Sequence, residues 1–130
     1  MTEWVAQAVV LAIHDQQIAE HGGLNGIRDL PVLESSLARP QYLAIYGDPA
    51  PDIAALAASY AVGIAGKQAF NDGNKRTSSV VTRTFLLLNG YDFNAAANEA
   101  IRLEIWKMIG AGSLSEERLA EWLRENIVKI

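Results

Sequence analysis

Phe70-Asn71-Asp72-Gly73-Asn74-Lys75-Arg76 gathers an acidic residue, a glycine, amides and two cations into seven positions. That is the composition of a polyphosphate and metal site. The segment lies between an apolar stretch and a helix-like one, so Gly73, Asn74, Lys75 and Arg76 are expected to form the first turn of a helix. Backbone N–H groups there have no intrahelical acceptor and point outward, where they can hold an anion with help from the helix dipole. Lys75 and Arg76 add formal charge, Arg76 as a planar fork suited to phosphate oxygens. Asp72 beside them is a natural ligand for Mg²⁺, which takes one or two carboxylates together with phosphate oxygens. Phe70 reads as an apolar anchor that fixes the loop to the core. Gln68 stands two residues before it, where such chemistry wants a base.

Each of these residues has a plainer role as well. Asn-Asp-Gly-Asn is ordinary turn chemistry, an aspartate near a helix start is often only a cap, and a Lys-Arg pair is usually solvated surface. Their concentration in one turn is what favours the site.

The elements that must position this turn are helical. Apolar residues at Val5, Val9, Ala12, Ile13 and Ile18 recur near a 3.6-residue period, predicting a first helix over Thr2 to Ala19 that Thr2 could cap. The glycine-rich segment His21 to Gly26 is expected to be loop. Asp29 with Pro31 after it opens a second helix, which Pro40 should stop, leaving Gln41 to Pro51 as an irregular flap. Asp52 to Lys67 is alanine-rich and apolar on most faces, the pattern of a helix buried at the centre of the fold. A fourth helix runs over Thr77 to Asn89 and stops at Asn89-Gly90. A fifth opens near Asn94 and ends at Gly110 and Gly112, and Ser113 to Glu116 has capping-box spacing ahead of a sixth carrying Leu119, Trp122 and Leu123. No segment shows strand alternation. The expectation is a single all-α domain, residues 1–130, of about six helices, with the motif loop leading into a central helix.

The chain's 130 residues, half of them hydrophobic, suffice for one core and are too few for two ordinary domains. Fifteen acidic against eleven basic residues leave a net charge of -4, without the global positive field that nonspecific nucleic-acid binding needs. There is no cysteine, which excludes disulfides and thiolate metal sites. No apolar run approaches membrane-spanning length and the N-terminal residues lack a signal-peptide pattern, so a cytoplasmic protein with no membrane or nucleic-acid partner is expected.

In register, Phe70, Asp72, Gly73, Asn74, Lys75 and Arg76 resemble the Fic/Doc motif, His-x-Phe-x-(Asp/Glu/Asn)-(Gly/Ala)-Asn-(Lys/Gly)-Arg. His14-Asp15, the segment Gly22 to Asp29 and the segment Leu33 to Pro40 are similar to the N-terminal half of the death-on-curing (Doc) branch. Lysine at 75 instead of glycine, and Ser79 where AMP-transferring members carry a second arginine, point to that branch. The resemblance implies a toxin of a toxin–antitoxin pair that uses ATP and Mg²⁺ to phosphorylate a hydroxyl of elongation factor Tu. Asp72 would then sit on the metal, with Gly73, Asn74, Lys75 and Arg76 on phosphates. It also implies a small antitoxin whose disordered tail folds on the toxin, and a flap, expected at Gln41 to Pro51, that aligns the target by backbone pairing. Self-inhibited members carry a Ser/Thr-x-x-x-Glu-(Gly/Asn) helix; the nearest match here, Glu121 to Asn126, begins with the wrong residue.

One position departs from the motif. Gln68 replaces the histidine that acts as general base in the family, and an amide cannot accept the proton. Positioning and charge stabilisation should survive, while the base contribution of about 10²–10⁴-fold should go. His14 and His21 are expected to be structural or exposed. AMP transfer, a noncatalytic nucleotide- or antitoxin-binding pseudoenzyme, and a helical adaptor without a nucleotide site remain the competing readings.

Overall fold

The computed structural model describes all 130 residues, Met1–Ile130. Six helices follow one another: α1 (Gln7–His21), α2 (Leu30–Tyr46), α3 (Ile53–Lys67), α4 (Asn74–Leu88), α5 (Glu99–Gly110) and α6 (Glu116–Asn126). Two three-residue strands, β1 (Tyr91–Phe93) and β2 (Ile127–Lys129), pair antiparallel with Tyr91 opposite Lys129 and Phe93 opposite Ile127. The all-α expectation holds, with this short ribbon as an addition.

Helix α3 is the centre, and its composition explains why. Ala54, Ala57, Ala58, Ala61, Gly63 and Ala65 are all buried, and their small side chains let α2, α4, α5 and α6 pack around one rod. Gly63 marks the tightest approach. A Cβ there would meet Ser36 Cβ of α2 at 3.1 Å, and Ser36 Oγ donates to the Gly63 carbonyl at 3.1 Å. A polar relay fixes the opposite side of the rod: Trp106 Nε1 of α5 donates to Ser78 Oγ of α4 at 2.9 Å, which donates to the Ala61 carbonyl at 2.8 Å. All three groups are buried, where an unmade bond would be costly.

Side chains cap four helix starts as their residue types lead one to expect. Asp29 accepts from Val32 N, Asp52 from Ala55 N, Asn98 from Ile101 N and Ser115 from Arg118 N. Ser115 thus opens α6, and the Ser113-to-Glu116 capping box does not form.

Four other boundaries differ from the sequence reading, one being the fifth helix, which opens at Glu99 behind its Asn98 cap and not near Asn94. The first helix starts at Gln7 and not Thr2, because residues 3–5 are tied elsewhere. Glu3 and Asn89 exchange two hydrogen bonds of 2.8 and 2.9 Å, Val5 N–H donates to the Tyr60 hydroxyl at 3.1 Å, and Trp4 stacks near Phe85. Pro40 does not stop α2, which continues to Tyr46. Proline removes one N–H and crowds the preceding turn, but Pro40 is buried and packing against α3 outweighs that local cost. The expected flap is therefore mostly helix, with only Gly47 to Asp52 left as connection. Finally, His21 closes α1 and does not belong to the glycine loop.

Candidate functional site

The α3–α4 connection is six residues long and is gripped from three sides. From below, Phe70 is buried at 1% exposure and lies flat against the His14 ring, centroids 3.8 Å apart and planes 8° apart. The anchor role expected of Phe70 is what the geometry gives it. From α4, Asn74 closes the loop: its Oδ1 accepts from Phe70 N at 3.1 Å and its Nδ2 donates to Phe70 O at 3.0 Å. From α1 and its following loop come two further ties. His14 Nε2 donates to the Asp72 carbonyl at 2.8 Å, and Leu24 N–H donates to Asp72 Oδ2 at 2.6 Å.

The segment between α1 and α2 runs alongside as a short strand. Ile27 and Phe70 form an antiparallel bridge, with Arg28 N donating to Ala69 O at 2.7 Å and Asn71 N to Gly26 O at 3.1 Å. In this register the N–H and C=O of Ile27 itself face away from the motif, so that edge is open. Tyr42 and Tyr46, by contrast, sit at the far end of a 17-residue helix whose start adjoins the motif. At 1.5 Å per residue that is roughly 18 to 24 Å away. The flap role expected for Gln41 to Pro51 therefore has no geometric support, and the backbone beside the site is Gly22 to Arg28.

Gly73 caps α4 in the left-handed region, φ 77° and ψ 15°, and no side chain caps the helix. The N–H groups of Gly73, Asn74, Lys75 and Arg76 make no hydrogen bond within the chain, whereas Thr77 N–H is the first to donate, to Gly73 O. Four unbonded donors at the positive end of a 15-residue helix are suited to cradle an anion. Gly73, Asn74 and Lys75 line a cleft of ≈ 220 Å³ whose walls also include Gln68, Asp72 and Gly110. The Lys75 stem crosses Gly110, where a Cβ would stand 2.7 Å from Lys75 Cδ, so a bare glycine on α5 makes room for this cation.

Two expected site residues are placed differently from the sequence reading. The Asn74 side chain has both ends committed to Phe70, so its contribution to an anion is its backbone N–H and not its amide. Arg76 lies on the neighbouring side of α4, in a groove of ≈ 500 Å³ that it shares with His21, Ser79, Arg83 and Arg102. Its guanidinium forms no ion pair within the chain, unlike Arg83, which pairs with Asp92 through both carboxylate oxygens at 3.0 and 3.1 Å. The cradle and the free arginine thus meet at the mouth of α4 from two adjoining concavities.

Residues 4–86 match the Fic/DOC family, 83 positions that contain the motif loop and the start of α4. The chain belongs to the Fic/Doc family. It is 36% identical over 81 residues to "Protein kinase doc" of Escherichia phage P1, a span of 62% of this chain and 64% of that protein. It is 35% identical over 96 residues to "Toxin Doc" of Mycolicibacterium smegmatis, spanning 73% of this chain and 71% of that one. Membership gives the open cradle its meaning, because the Fic/Doc motif is the segment that builds it here.

Asp72 has the chemistry for a divalent ion. Its Oδ2 is taken by Leu24 N–H and its Oδ1 carries no hydrogen bond. No group of three or more His, Asp or Glu side chains converges anywhere in the chain, so a metal at this position would complete its shell with ligand oxygens. Gln68 is the C-cap of α3, itself left-handed at φ 54° and ψ 54°, and its exposed side chain makes no hydrogen bond.

The residue that sequence reasoning undervalued is His14. It is 2% exposed and holds the motif loop by both its face and its edge. The signal was present, since Val10, His14 and Ile18 fall at i, i+4 and i+8 on the inward stripe of α1.

Proposed function

We propose that this chain is a Doc-type toxin that binds Mg·ATP at the mouth of α4 and transfers the γ-phosphoryl group to a hydroxyl side chain of elongation factor Tu. The observation that carries the reading is the row of unbonded N–H groups from Gly73 to Arg76 at the mouth of α4, beside a cleft that also holds the Asp72 carboxylate. The cradle would hold phosphate oxygens, Lys75 would neutralise one phosphate within the cleft, and Arg76 would approach from the adjoining groove. Asp72, together with phosphate oxygens, would hold Mg²⁺, which would supply charge neutralisation at the transferring group. In the transfer, the target oxygen forms a bond to the γ phosphorus as the bond to the ADP oxygen breaks, and the hydroxyl proton passes to solvent. Gln68 cannot take it, so turnover should be slow while binding persists.

The open edge at Ile27 supports docking of an extended target segment by backbone pairing, which needs no particular side chains. The partner that restrains the toxin would be a small antitoxin, its disordered tail folding as an amphipathic helix in the groove over α4. Val80, Leu87 and Leu103 line that groove with unpaired Arg76 at one end, which favours an acidic residue on the incoming helix.

Incubating the Gln68→His variant with elongation factor Tu and labelled ATP tests the reading. Label from the γ position on the target is the expected result. Label from the α position would mean AMP transfer, and no transfer with Mg·ATP affinity intact would leave a noncatalytic binder, the reading that Gln68 itself favours.

A further inference from the structure

The tie between His14 and the motif loop has a geometric consequence at the next atom pair. His14 Nε2 faces a carbonyl oxygen, which can only accept, so the ring is the Nε2–H tautomer. Its hydrogen bond draws the Asp72 C=O towards α1 and the core. The Asp72–Gly73 peptide is trans, and in a planar trans peptide the C=O and N–H point in opposite directions. The Gly73 N–H is therefore turned away from α1, towards the cleft. The glycine's own backbone agrees: a Cβ at Gly73 would lie 3.2 Å from Ile18 Cδ1 and 3.7 Å from His14 Nε2, so its Cα is pressed to the α1 side.

We infer that His14 is a positioning residue that aims the first donor of the anion cradle. Asp72 and Gly73 are on a turn, and Gly73 has no Cβ to restrict it, so this peptide is the one in the cradle free to flip at low steric cost. The amides of Asn74, Lys75 and Arg76 are held by the helix that follows. The Gly73 amide is held by its hydrogen-bonded carbonyl, and the bond is protected because His14 is buried and clamped against Phe70. The inference rests on the phosphate-binding reading for its purpose, but the orientation of the peptide is a property of the ligand-free chain.

Two substitutions separate the ring's two contacts. His14→Phe keeps a flat ring on Phe70 and loses the donor; His14→Gln gives up the stack and retains an N–H donor of similar reach. In ¹⁵N-labelled full-length protein, the wild-type ring should show the Nε2–H tautomer. The residual dipolar coupling of the Gly73 N–H, which reports peptide orientation without ligand, should change in His14→Phe and stay near wild type in His14→Gln. Mg·ATP affinity by calorimetry should fall about tenfold or more in His14→Phe, the scale of losing one donor to a charged oxygen, and recover largely in His14→Gln. Circular dichroism melts confirm that each variant is folded at the assay temperature. An unchanged Gly73 coupling in His14→Phe, or an Nδ1–H tautomer in the wild type, overturns the inference. Wild type that binds no Mg·ATP while the couplings behave as stated overturns the nucleotide reading and leaves the positioning role standing.

Discussion

Asn74→Ala distinguishes a brace from a ligand. The side chain makes two hydrogen bonds to the backbone of Phe70, a residue 1% exposed, and nothing else in the chain replaces them. Truncation leaves one donor and one acceptor without partners in a part-buried turn. Each such loss costs about 1–3 kcal/mol when water cannot reach the group; some access is available here, so the expected total is about 2–4 kcal/mol. Against a domain stability of about 5–15 kcal/mol, and with a urea dependence of about 2 kcal/mol per molar for a chain of this size, the unfolding midpoint should fall by about 1–2 M. Equilibrium urea unfolding followed by tryptophan fluorescence measures it, since Trp4, Trp106 and Trp122 all pack against the core. A variant that unfolds at the wild-type urea concentration yet loses Mg·ATP affinity would refute the reasoning. The Asn74 amide would then be a phosphate ligand, as its place in the motif led one to expect.

Gln68→Gly should stabilise the fold by about 0.5–1 kcal/mol, because a side chain in the left-handed region costs about 1–2 kcal/mol and the greater freedom of unfolded glycine returns part of that; a lower urea midpoint would contradict it. Acid should weaken the protein through two bidentate pairs outside the phosphate cradle. Hydrogen bonds from Arg124 hold the Asp52 carboxyl below its ordinary range, and those from Arg83 do the same for Asp92. Folded values below unfolded ones mean that this stabilisation is complete above a pH of about 4 and is lost as pH falls through the folded values. Both pairs are partly exposed, so the effect is screened and should shrink in high salt. Asp52→Asn preserves an acceptor for Ala55 N–H while removing the charge, and together with Asp92→Asn it should flatten the acid limb of thermal stability; an unchanged limb would assign acid sensitivity elsewhere.

Local chemistry was legible where it decided the structure alone. The cap at Asp29, the buried alanine-rich α3 and the helix opening at the motif could all be read from spacing, whereas the start of α5, read near Asn94, lies at Glu99 behind an Asn98 cap. Legibility failed where distant contacts overrode local preference. Pro40 is a helix breaker by every local rule, but burial against α3 carries the helix six residues further. Thr2 is a good cap with no helix to cap, because the backbone of Glu3 and Val5 is bound to Asn89 and Tyr60 from other parts of the chain. The ribbon of β1 and β2 brings together segments 36 positions apart with three residues each, too short for alternation to register. At the site, the motif's residue types announced an anion cradle, but not that Asn74 would turn inward or that Arg76 would open onto a second groove.

The division of labour within the motif follows from these contacts. Phe70, Asn74, His14 and Leu24 N–H are occupied in holding a turn. What remains free is a set of backbone donors, one carboxylate oxygen, Lys75 and Arg76. A cradle built of backbone N–H groups is fixed before ligand arrives, so little reorganisation is needed when charge is placed there. None of its supports passes through the Gln68 side chain, which makes no hydrogen bond. In the proposed transfer, glutamine at that position therefore leaves the cradle intact and withholds only a proton acceptor. Ligand affinity and turnover should accordingly be separable in this chain, the first set by the mouth of α4 and the second by the single side chain that caps α3.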